Sequence, residues 1–131
     1  MRVSYSIRLE EKNPYEVVER KGLGHPDTIC DELAERVCRE LSKWYIENFG
    51  TILHHNIDKA VLAAGESEPR FGGGKVIKPI HFKLVGRATL EVKDVAGVKE
   101  VPFRDIFEES LEKCLRENFR YLDPTRHFIG G

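Results

Sequence analysis

The pattern that most limits the folds open to this chain is a stripe of apolar residues, one every four positions from Ile29 to Tyr45. This spacing places the side chains on one face of an α-helix. Pro26 suits the first turn of such a helix, and Gly50 suits the position just after its end. The sequence therefore predicts an amphipathic helix between these two residues, which must bury its apolar face against another layer.

A second helical pattern lies near the end of the chain. Apolar residues recur three and four positions apart from Phe103 to Leu122, and Asp123-Pro124 follows them. Because the residue before a proline is disfavoured in a helical conformation, this pattern predicts a second amphipathic helix that stops there.

Three other segments have patterns typical of β-strands. Residues 1–10 alternate strictly between apolar and polar, which predicts a half-buried strand. Residues 59–64 form a short apolar run bounded by Gly65, which predicts a largely buried strand. Residues 76–92 are rich in β-branched side chains and predict one long strand, or two strands bent near Gly86.

This order of elements predicts an α+β fold with two layers, in which two helices cover one face of a mainly antiparallel sheet. No linker or repeat divides the sequence, so we expect a single domain over residues 1–131. Residues 127–131 begin like a further strand and stop before it is complete. We therefore expect a truncated piece of a larger protein.

Charge and cysteine content exclude several classes of partner. The chain has 21 Lys and Arg against 22 Asp and Glu, a net charge of -1, which gives no basic field for nucleic acid or an anionic membrane. No apolar run is long enough to span a bilayer. The three cysteines are an odd number without a CxxC pair, which argues against disulfides and structural zinc. We expect a cytoplasmic protein with neither nucleic acid nor membrane as partner.

The loop that opens the first helix is the leading candidate for a binding site. Backbone N–H groups and the positive end of the helix dipole converge there, which favours a phosphate group. Lys21 and His25 add hydrogen-bond donors, and Gly24 lets a ligand approach the backbone. Asp27 and Asp31 lie four positions apart on one face, and a bound Mg²⁺ would relieve their repulsion. The alternative is a plain helix cap that binds nothing.

A second candidate is the glycine-rich segment around Gly72, Gly73 and Gly74, which follows Arg70. Ordering three successive glycines costs much conformational entropy. The segment is therefore either a mobile flap that closes over a ligand, with Arg70 as its contact, or a plain hairpin connection.

A third candidate is the segment from His54 to Asp58, at the entry to a predicted strand. Adjacent histidines of an extended chain point to opposite faces, so His54 and His55 are poorly placed to share a metal ion. Asn56 and Asp58 are either turn residues or ligand contacts, because both kinds occur at strand ends.

Three motifs are more informative together than any one of them alone. They are ERKGLGHPDTICD at residues 19–31, HHN at 54–56, and PRFGGG at 69–74, which IKPI at 77–80 follows. In this order they resemble the N-terminal part of the archaeal type of S-adenosylmethionine synthetase. The similarity runs through residues 122–124, and it covers nearly all of this chain but only the first part of a family member.

The resemblance implies an enzyme in which the methionine sulfur attacks C5′ of ATP, and the expelled triphosphate is hydrolysed to pyrophosphate and phosphate. His25 matches the family histidine that hydrogen-bonds the departing triphosphate, and Asp27 matches an aspartate that ligates Mg²⁺. ATP and methionine are the implied substrates, with Mg²⁺ as cofactor and K⁺ as a further candidate ion. The full set of expected binding residues is Lys21, Gly24, His25, Asn56, Asp58 and Arg70.

The same resemblance implies a homodimer or higher oligomer, because the family's active site lies between two subunits. Family members repeat a βαββαβ unit three times, and this chain approximates one unit lacking its last strand. Thr28 stands where the bacterial and eukaryotic branch has Lys, although the archaeal branch accepts Ser or Thr. Since other lysines, aspartates and a glycine-rich ATP segment of the family follow this stretch, we expect only the phosphate-binding corner of the site.

Two other functions stay open from the sequence. One is a noncatalytic binding or assembly module with the same fold, which the absence of Mg-ATP binding would identify. The other is a triphosphatase that retains only the second half-reaction, which phosphate release from triphosphate would identify.

Overall fold

Two long helices, a one-turn helix and seven short strands are the regular elements of the computed structural model, which describes residues 1–9 and 13–130. No helix in these ranges has the length and apolar character needed to cross a membrane. In chain order the elements are α1 (Pro26–Phe49), β1 (His55–Ala63), β2 (Glu66–Arg70), β3 (Gly73–Lys78), β4 (Ile80–Ala88), β5 (Glu91–Asp94), β6 (Gly97–Glu100), α2 (Phe103–Asn118), α3 (Pro124–His127) and β7 (Phe128–Gly130).

The central sheet has three strands in the order β1-β4-β7. Strand β1 pairs antiparallel with β4, and β7 pairs parallel with β4. Strands β2 and β3 form one separate antiparallel hairpin, and β5 and β6 form another. Helices α1 and α2 pack on one face of the central sheet. The predicted two-layer α+β fold with a mainly antiparallel sheet is therefore confirmed.

Helix α1 forms where the apolar stripe predicted it. At its start the His25 side chain accepts a hydrogen bond from the Asp27 amide. At its end Gly50 has a φ of 73°, in the left-handed region that favours glycine. Its buried residues are the predicted ones, Ile29, Leu33, Val37, Leu41 and Tyr45.

The main core lies between the apolar faces of the two long helices and the inner face of the sheet. Phe82 of β4 stacks on Phe128 of β7 with ring centroids 5.4 Å apart. The Tyr45 hydroxyl donates to the Thr89 carbonyl at 2.7 Å, which ties the end of α1 to the end of β4. The buried residues that α1 and α2 contribute to this core are Ile29, Leu33, Val37, Phe107, Leu111 and Leu115.

The prediction of a strand at residues 1–10 is wrong for residues 1–9. Residue 10 lies outside the residues that the structure describes. Residues 1–9 form no strand, and their apolar side chains are all exposed. Alternation identifies the face that a strand would bury, but a strand also needs a neighbour for its backbone hydrogen bonds. None of the described strands pairs with this segment. Of the expected βαββαβ unit, the described residues therefore lack the first strand. The last strand, which was expected to be missing, is present as the short strand Phe128–Gly130.

Three other features differ from the sequence-based expectation. Strand β1 is half-buried rather than largely buried, because only one face of the sheet is covered. Residues 76–92 belong to three strands, since Pro79 separates β3 from β4. Helix α2 ends at Asn118, where Phe119 becomes extended with φ -132° and ψ 125°. Phe119 and Leu122 lie after the helix but still pack against the core. The apolar pattern in the sequence is therefore longer than the helix.

Leu33→Ala should lower the free energy of unfolding by about 3 kcal/mol, because truncating a fully buried leucine leaves a cavity. Chemical denaturation followed by circular dichroism measures the change. Leu23→Ala is the matched control, since Leu23 is 62% exposed in the preceding loop and its truncation should cost less than about 0.5 kcal/mol. Equal losses in the two variants would contradict the packing of α1.

The buried thiol of Cys114 should make the protein less stable as the pH rises from 9 to 11. Burial, followed by the charge of Glu32, raises the pKa of this thiol from its ordinary 9.0 to about 11. In that interval the folded state keeps a proton that the unfolded state releases, so rising pH favours unfolding. Urea denaturation should show a steeper decline in the wild type than in Cys114→Ala. Parallel pH profiles would contradict this placement of the thiol.

Candidate functional site

His25 joins the predicted binding loop to α1 and caps the helix. Its backbone N–H donates to the Gly22 carbonyl at 3.1 Å, and its ring Nδ1 accepts the Asp27 amide at 3.1 Å. Because Nδ1 is an acceptor, the neutral ring carries its proton on Nε2. The side chain is 42% exposed, so the ring can be reached from solvent.

Lys21 and Asp27 form an ion pair across the same loop, and both side chains are more than half exposed. The hydrogen bond from Lys21 lowers the pKa of the Asp27 carboxyl, and the same bond raises the pKa of the Lys21 ammonium. Asp27 is therefore ionised at neutral pH. The structure thus brings three of the predicted residues, Lys21, His25 and Asp27, together.

The start of α1 also retains a backbone donor. Pro26 has no N–H, the His25 ring accepts the Asp27 amide, and the Ile29 amide donates to the His25 carbonyl. The Thr28 N–H has no acceptor among the described residues. A free amide at the positive end of a 24-residue helix favours an anion such as phosphate. We call Lys21, His25, Asp27 and the Thr28 N–H the His25 corner.

The His25 corner fits a magnesium ion that is held chiefly by phosphate oxygens. Mg²⁺ usually takes one or two protein carboxylates and completes its octahedron with substrate phosphates and water. Asp27 supplies one exposed carboxylate. Over residues 1–9 and 13–130, no group of three or more His, Cys, Asp or Glu side chains is placed to hold a metal ion by itself.

A second polar group lies on the sheet face that the helices leave open. Asn56 of β1 is the cross-strand partner of Arg87 of β4, and both line a cavity of about 410 Å³ with His54 and Asp58. We call these four residues the Asn56 cavity. The sequence analysis missed Arg87: the GR pair at 86–87 lies within a predicted strand segment, but only the strand register places it opposite Asn56.

A close backbone contact shapes the Asn56 cavity. The pairing of β1 with β4 shifts register between Ile57 and Lys59, an irregularity of the β-bulge kind. Gly86 lies against this point, where an added Cβ would be 2.2 Å from the Asn56 carbonyl oxygen. Only glycine allows this approach, so Gly86 fixes the spacing of the two strands beside Arg87.

The adjacent histidines have different environments, as the extended chain predicted. His55 is partly buried, and its ring lies 2.9 Å from the Leu53 carbonyl and 3.3 Å from the Ser42 hydroxyl. His55 is therefore a structural residue between α1 and β1. His54 is exposed at the Asn56 cavity.

Phe71 and Gly72 form the turn between β2 and β3, and Gly73 and Gly74 begin β3, which agrees with the hairpin interpretation. Arg70 pairs with Glu68 at 2.7 Å and is 72% exposed. The cavity beside Arg70, of about 290 Å³, is lined by residues 68 and 70–75. It includes no residue of the His25 corner or the Asn56 cavity, so a role of Arg70 as a flap contact stays a prediction.

The His25 corner and the Asn56 cavity lie toward opposite ends of β1. Gly24, the remaining predicted residue of the loop, lines an apolar cavity of about 520 Å³ together with Leu62. Leu62 follows Asn56 by six positions in β1, which corresponds to about 20 Å of strand. The two cavities share no lining residue.

Comparison with known proteins identifies the family to which this geometry belongs. The family described as S-adenosylmethionine synthetase (AdoMet synthetase) matches residues 3–130. The chain belongs to this family. The resemblance inferred from the motifs at 19–31, 54–56 and 69–74 is confirmed.

Individual relatives in the S-adenosylmethionine synthetase family are archaeal and similar over most of this chain. The S-adenosylmethionine synthase of Aeropyrum pernix is 53% identical over 126 residues, which are 96% of this chain and 31% of that protein. Those of Caldivirga maquilingensis and Saccharolobus islandicus are 52% and 50% identical over 91% of this chain, and 29% and 30% of their own lengths are covered. The chain thus spans about three tenths of the curated relatives.

Gly86→Ala should lower the free energy of unfolding by about 1 to 3 kcal/mol, because the added methyl group forces β1 and β4 apart. Gly22→Ala is the matched control, since nothing lies within 4 Å of a Cβ at that position, and it should change stability by less than about 0.5 kcal/mol. Thermal and urea denaturation measure both. Equal stability of the two variants would contradict the close strand contact.

Proposed function

We propose that this chain is the part of a methionine adenosyltransferase that binds the triphosphate of ATP together with Mg²⁺. The observation that carries the proposal is the His25 imidazole, whose Nδ1 caps the helix 3.9 Å from the Asp27 carboxylate, so that the proton of the neutral ring is on Nε2. Membership of the S-adenosylmethionine synthetase family supports the same reaction, in which ATP and methionine are the substrates.

In the proposed reaction the methionine sulfur attacks C5′ of ATP, and the bond to the triphosphate oxygen breaks. Negative charge then grows on the departing triphosphate. The Nε2–H of His25 and the amide of Thr28 donate hydrogen bonds to its oxygens, and Lys21 adds positive charge. When bound beside Asp27, Mg²⁺ supplies further positive charge to the phosphate oxygens.

Ligand binding requires a rearrangement of the Lys21–Asp27 ion pair. The ammonium of Lys21 now neutralises the carboxylate that the metal ion needs. We propose that Lys21 turns from Asp27 to a phosphate oxygen, which would leave the Asp27 carboxylate able to hold the ion. Asp27 would keep a cation beside it, so the exchange needs no protonation step.

The separation of two cavities along β1 supports a site that two copies share. Since Gly24 and Asn56 line separate cavities that share no residue, we propose that a second copy supplies Asn56, Asp58 and Arg87 to this site. These residues lie on the uncovered face of the sheet, where a partner can reach them. A homodimer or higher oligomer follows from this arrangement.

His25→Asn should separate binding from helix capping. Asn is a good N-cap, so this variant should unfold like the wild type, whereas His25→Ala should lose about 1 kcal/mol of stability. Both variants lack the Nε2–H and should bind Mg-triphosphate at least about tenfold more weakly, since one hydrogen bond to a charged group contributes that much. Isothermal titration calorimetry and urea denaturation measure the two effects.

Asp27→Asn serves as the second probe of the His25 corner, because it keeps the side-chain shape and removes the charge. It should abolish the dependence of triphosphate binding on Mg²⁺. Unchanged affinity in both His25→Asn and Asp27→Asn would overturn the proposed site.

Mass spectrometry of a reaction with ATP, methionine, Mg²⁺ and K⁺ distinguishes the proposed activity from its alternatives. S-adenosylmethionine as product supports the transferase. Phosphate release from triphosphate without that product would identify a triphosphatase instead, and the absence of both products and of Mg-ATP binding would identify a noncatalytic module.

A further inference from the structure

Three consecutive residues, at and just after the end of α2, reach toward the start of α1. Glu117 accepts a hydrogen bond from Arg36 at 3.2 Å, and the side-chain amide of Asn118 donates to both carboxylate oxygens of Glu32 at 2.9 and 3.0 Å. Glu32 lies one turn closer than Arg36 to the start of α1. Each step from residue 117 to 118 thus moves the contact toward the loop that opens α1, and Phe119 borders that loop.

Phe119 meets the loop at Gly24. Its Cε1 atom lies 3.5 Å from the position that a Cβ atom of Gly24 would occupy. Apart from the chain neighbours of Gly24, no other described residue has an atom within 4 Å of that position. Phe119 also packs against the main core, and its backbone N–H donates to the Leu115 carbonyl at 2.9 Å. The core and α2 therefore hold the ring that borders the loop.

The path of the backbone at Gly24 decides where His25 lies, because the two residues are adjacent. Two hydrogen bonds depend on that path: the His25 N–H donates to the Gly22 carbonyl, and the His25 ring accepts the Asp27 amide. Glycine has the widest choice of backbone conformations. A neighbour from outside the loop limits this choice, and the Phe119 ring is placed to do so.

A second tie across the loop is an ion pair that the proposed reaction opens. Lys21 pairs with Asp27, and both side chains are more than half exposed. When Lys21 leaves Asp27 for a phosphate oxygen, this tie is lost. The contact with Phe119 is apolar and contains no group that a phosphate or a metal ion takes up, so it remains while the ligand is bound.

We propose that Phe119 is a positioning residue for His25. Its ring limits the backbone at Gly24 and so keeps Nδ1 of His25 on the Asp27 amide, with the proton of the neutral ring on Nε2 for the triphosphate. Phe119 acts through this backbone and not by contact with the ligand. The inference rests on the proposed function, because Mg-triphosphate is the ligand for which His25 is held.

Solvent exchange of the Asp27 backbone N–H, followed by NMR in the ligand-free 131-residue chain, measures the hold on the His25 ring. Phe119→Ala should raise this rate at least about threefold, because an amide in the first turn of a helix exchanges by local opening. Phe119→Leu keeps most of the apolar volume, so it should fold even if Phe119→Ala does not, and it should raise the rate by a smaller factor. Unchanged exchange in both variants would overturn the positioning role.

Leu122→Ala is the matched control. Leu122 packs against the same core and lines the same cavity as Phe119, but it has no atom within 4 Å of the Cβ position of Gly24. Leu122→Ala and Phe119→Ala should both lower the urea midpoint, because each truncates an apolar side chain. Only the Phe119 variants should change the exchange of the Asp27 amide. Equal exchange rates in Leu122→Ala and Phe119→Ala would show a general loss of stability and overturn the proposal.

Isothermal titration calorimetry with Mg-triphosphate links the exchange rate to binding. Phe119→Ala and Phe119→Leu should bind about two- to tenfold more weakly, which is the cost of ordering one further side chain, and Leu122→Ala should bind like the wild type. Faster exchange without weaker binding would overturn the positioning role. A wild type that does not bind Mg-triphosphate would instead contradict the proposed function, and the exchange rates, measured without ligand, would still decide whether Phe119 holds His25.

Discussion

The burial of one face of α1 holds the two layers together. Leu33, Val37 and Leu41 are completely buried, and the helix packs on both β1 and α2. A helix of 24 residues is about 36 Å long, so fixing it by its middle sets the position of both ends. The end that begins at Pro26 carries the His25 corner, and the other end carries Tyr45, whose hydroxyl donates to Thr89. The candidate site and the tie to β4 therefore depend on one apolar contact.

His25 couples the helix cap to the proposed ligand contact within a single ring. Nδ1 is used by the helix start, and this use leaves the only proton of the neutral ring on Nε2. The tautomer suited to an anionic ligand is therefore selected before any ligand arrives. A ring that is already held in one orientation loses less conformational entropy when a ligand binds.

The sequence predicted those features that depend on local periodicity or on short motifs. The α1 stripe predicted all five buried residues of the helix, and the motifs at 19–31, 54–56 and 69–74 together led to the family because each is contiguous in the sequence. Features that depend on partners were missed. Residues 1–9 alternate correctly for a strand but have no neighbouring strand to bond with. Arg87 became a site residue only through its register with Asn56, which no single segment of sequence encodes.

The two hairpins have a consequence for how this domain can vary. Neither the β2–β3 pair nor the β5–β6 pair belongs to the central sheet in the described part of the chain. A residue inserted into either hairpin therefore shifts no hydrogen bond between β1 and β4 and turns no core side chain outward. A change of length in the β5–β6 arm, which carries none of the three family motifs, can therefore be accommodated at the surface while the central sheet stays in register.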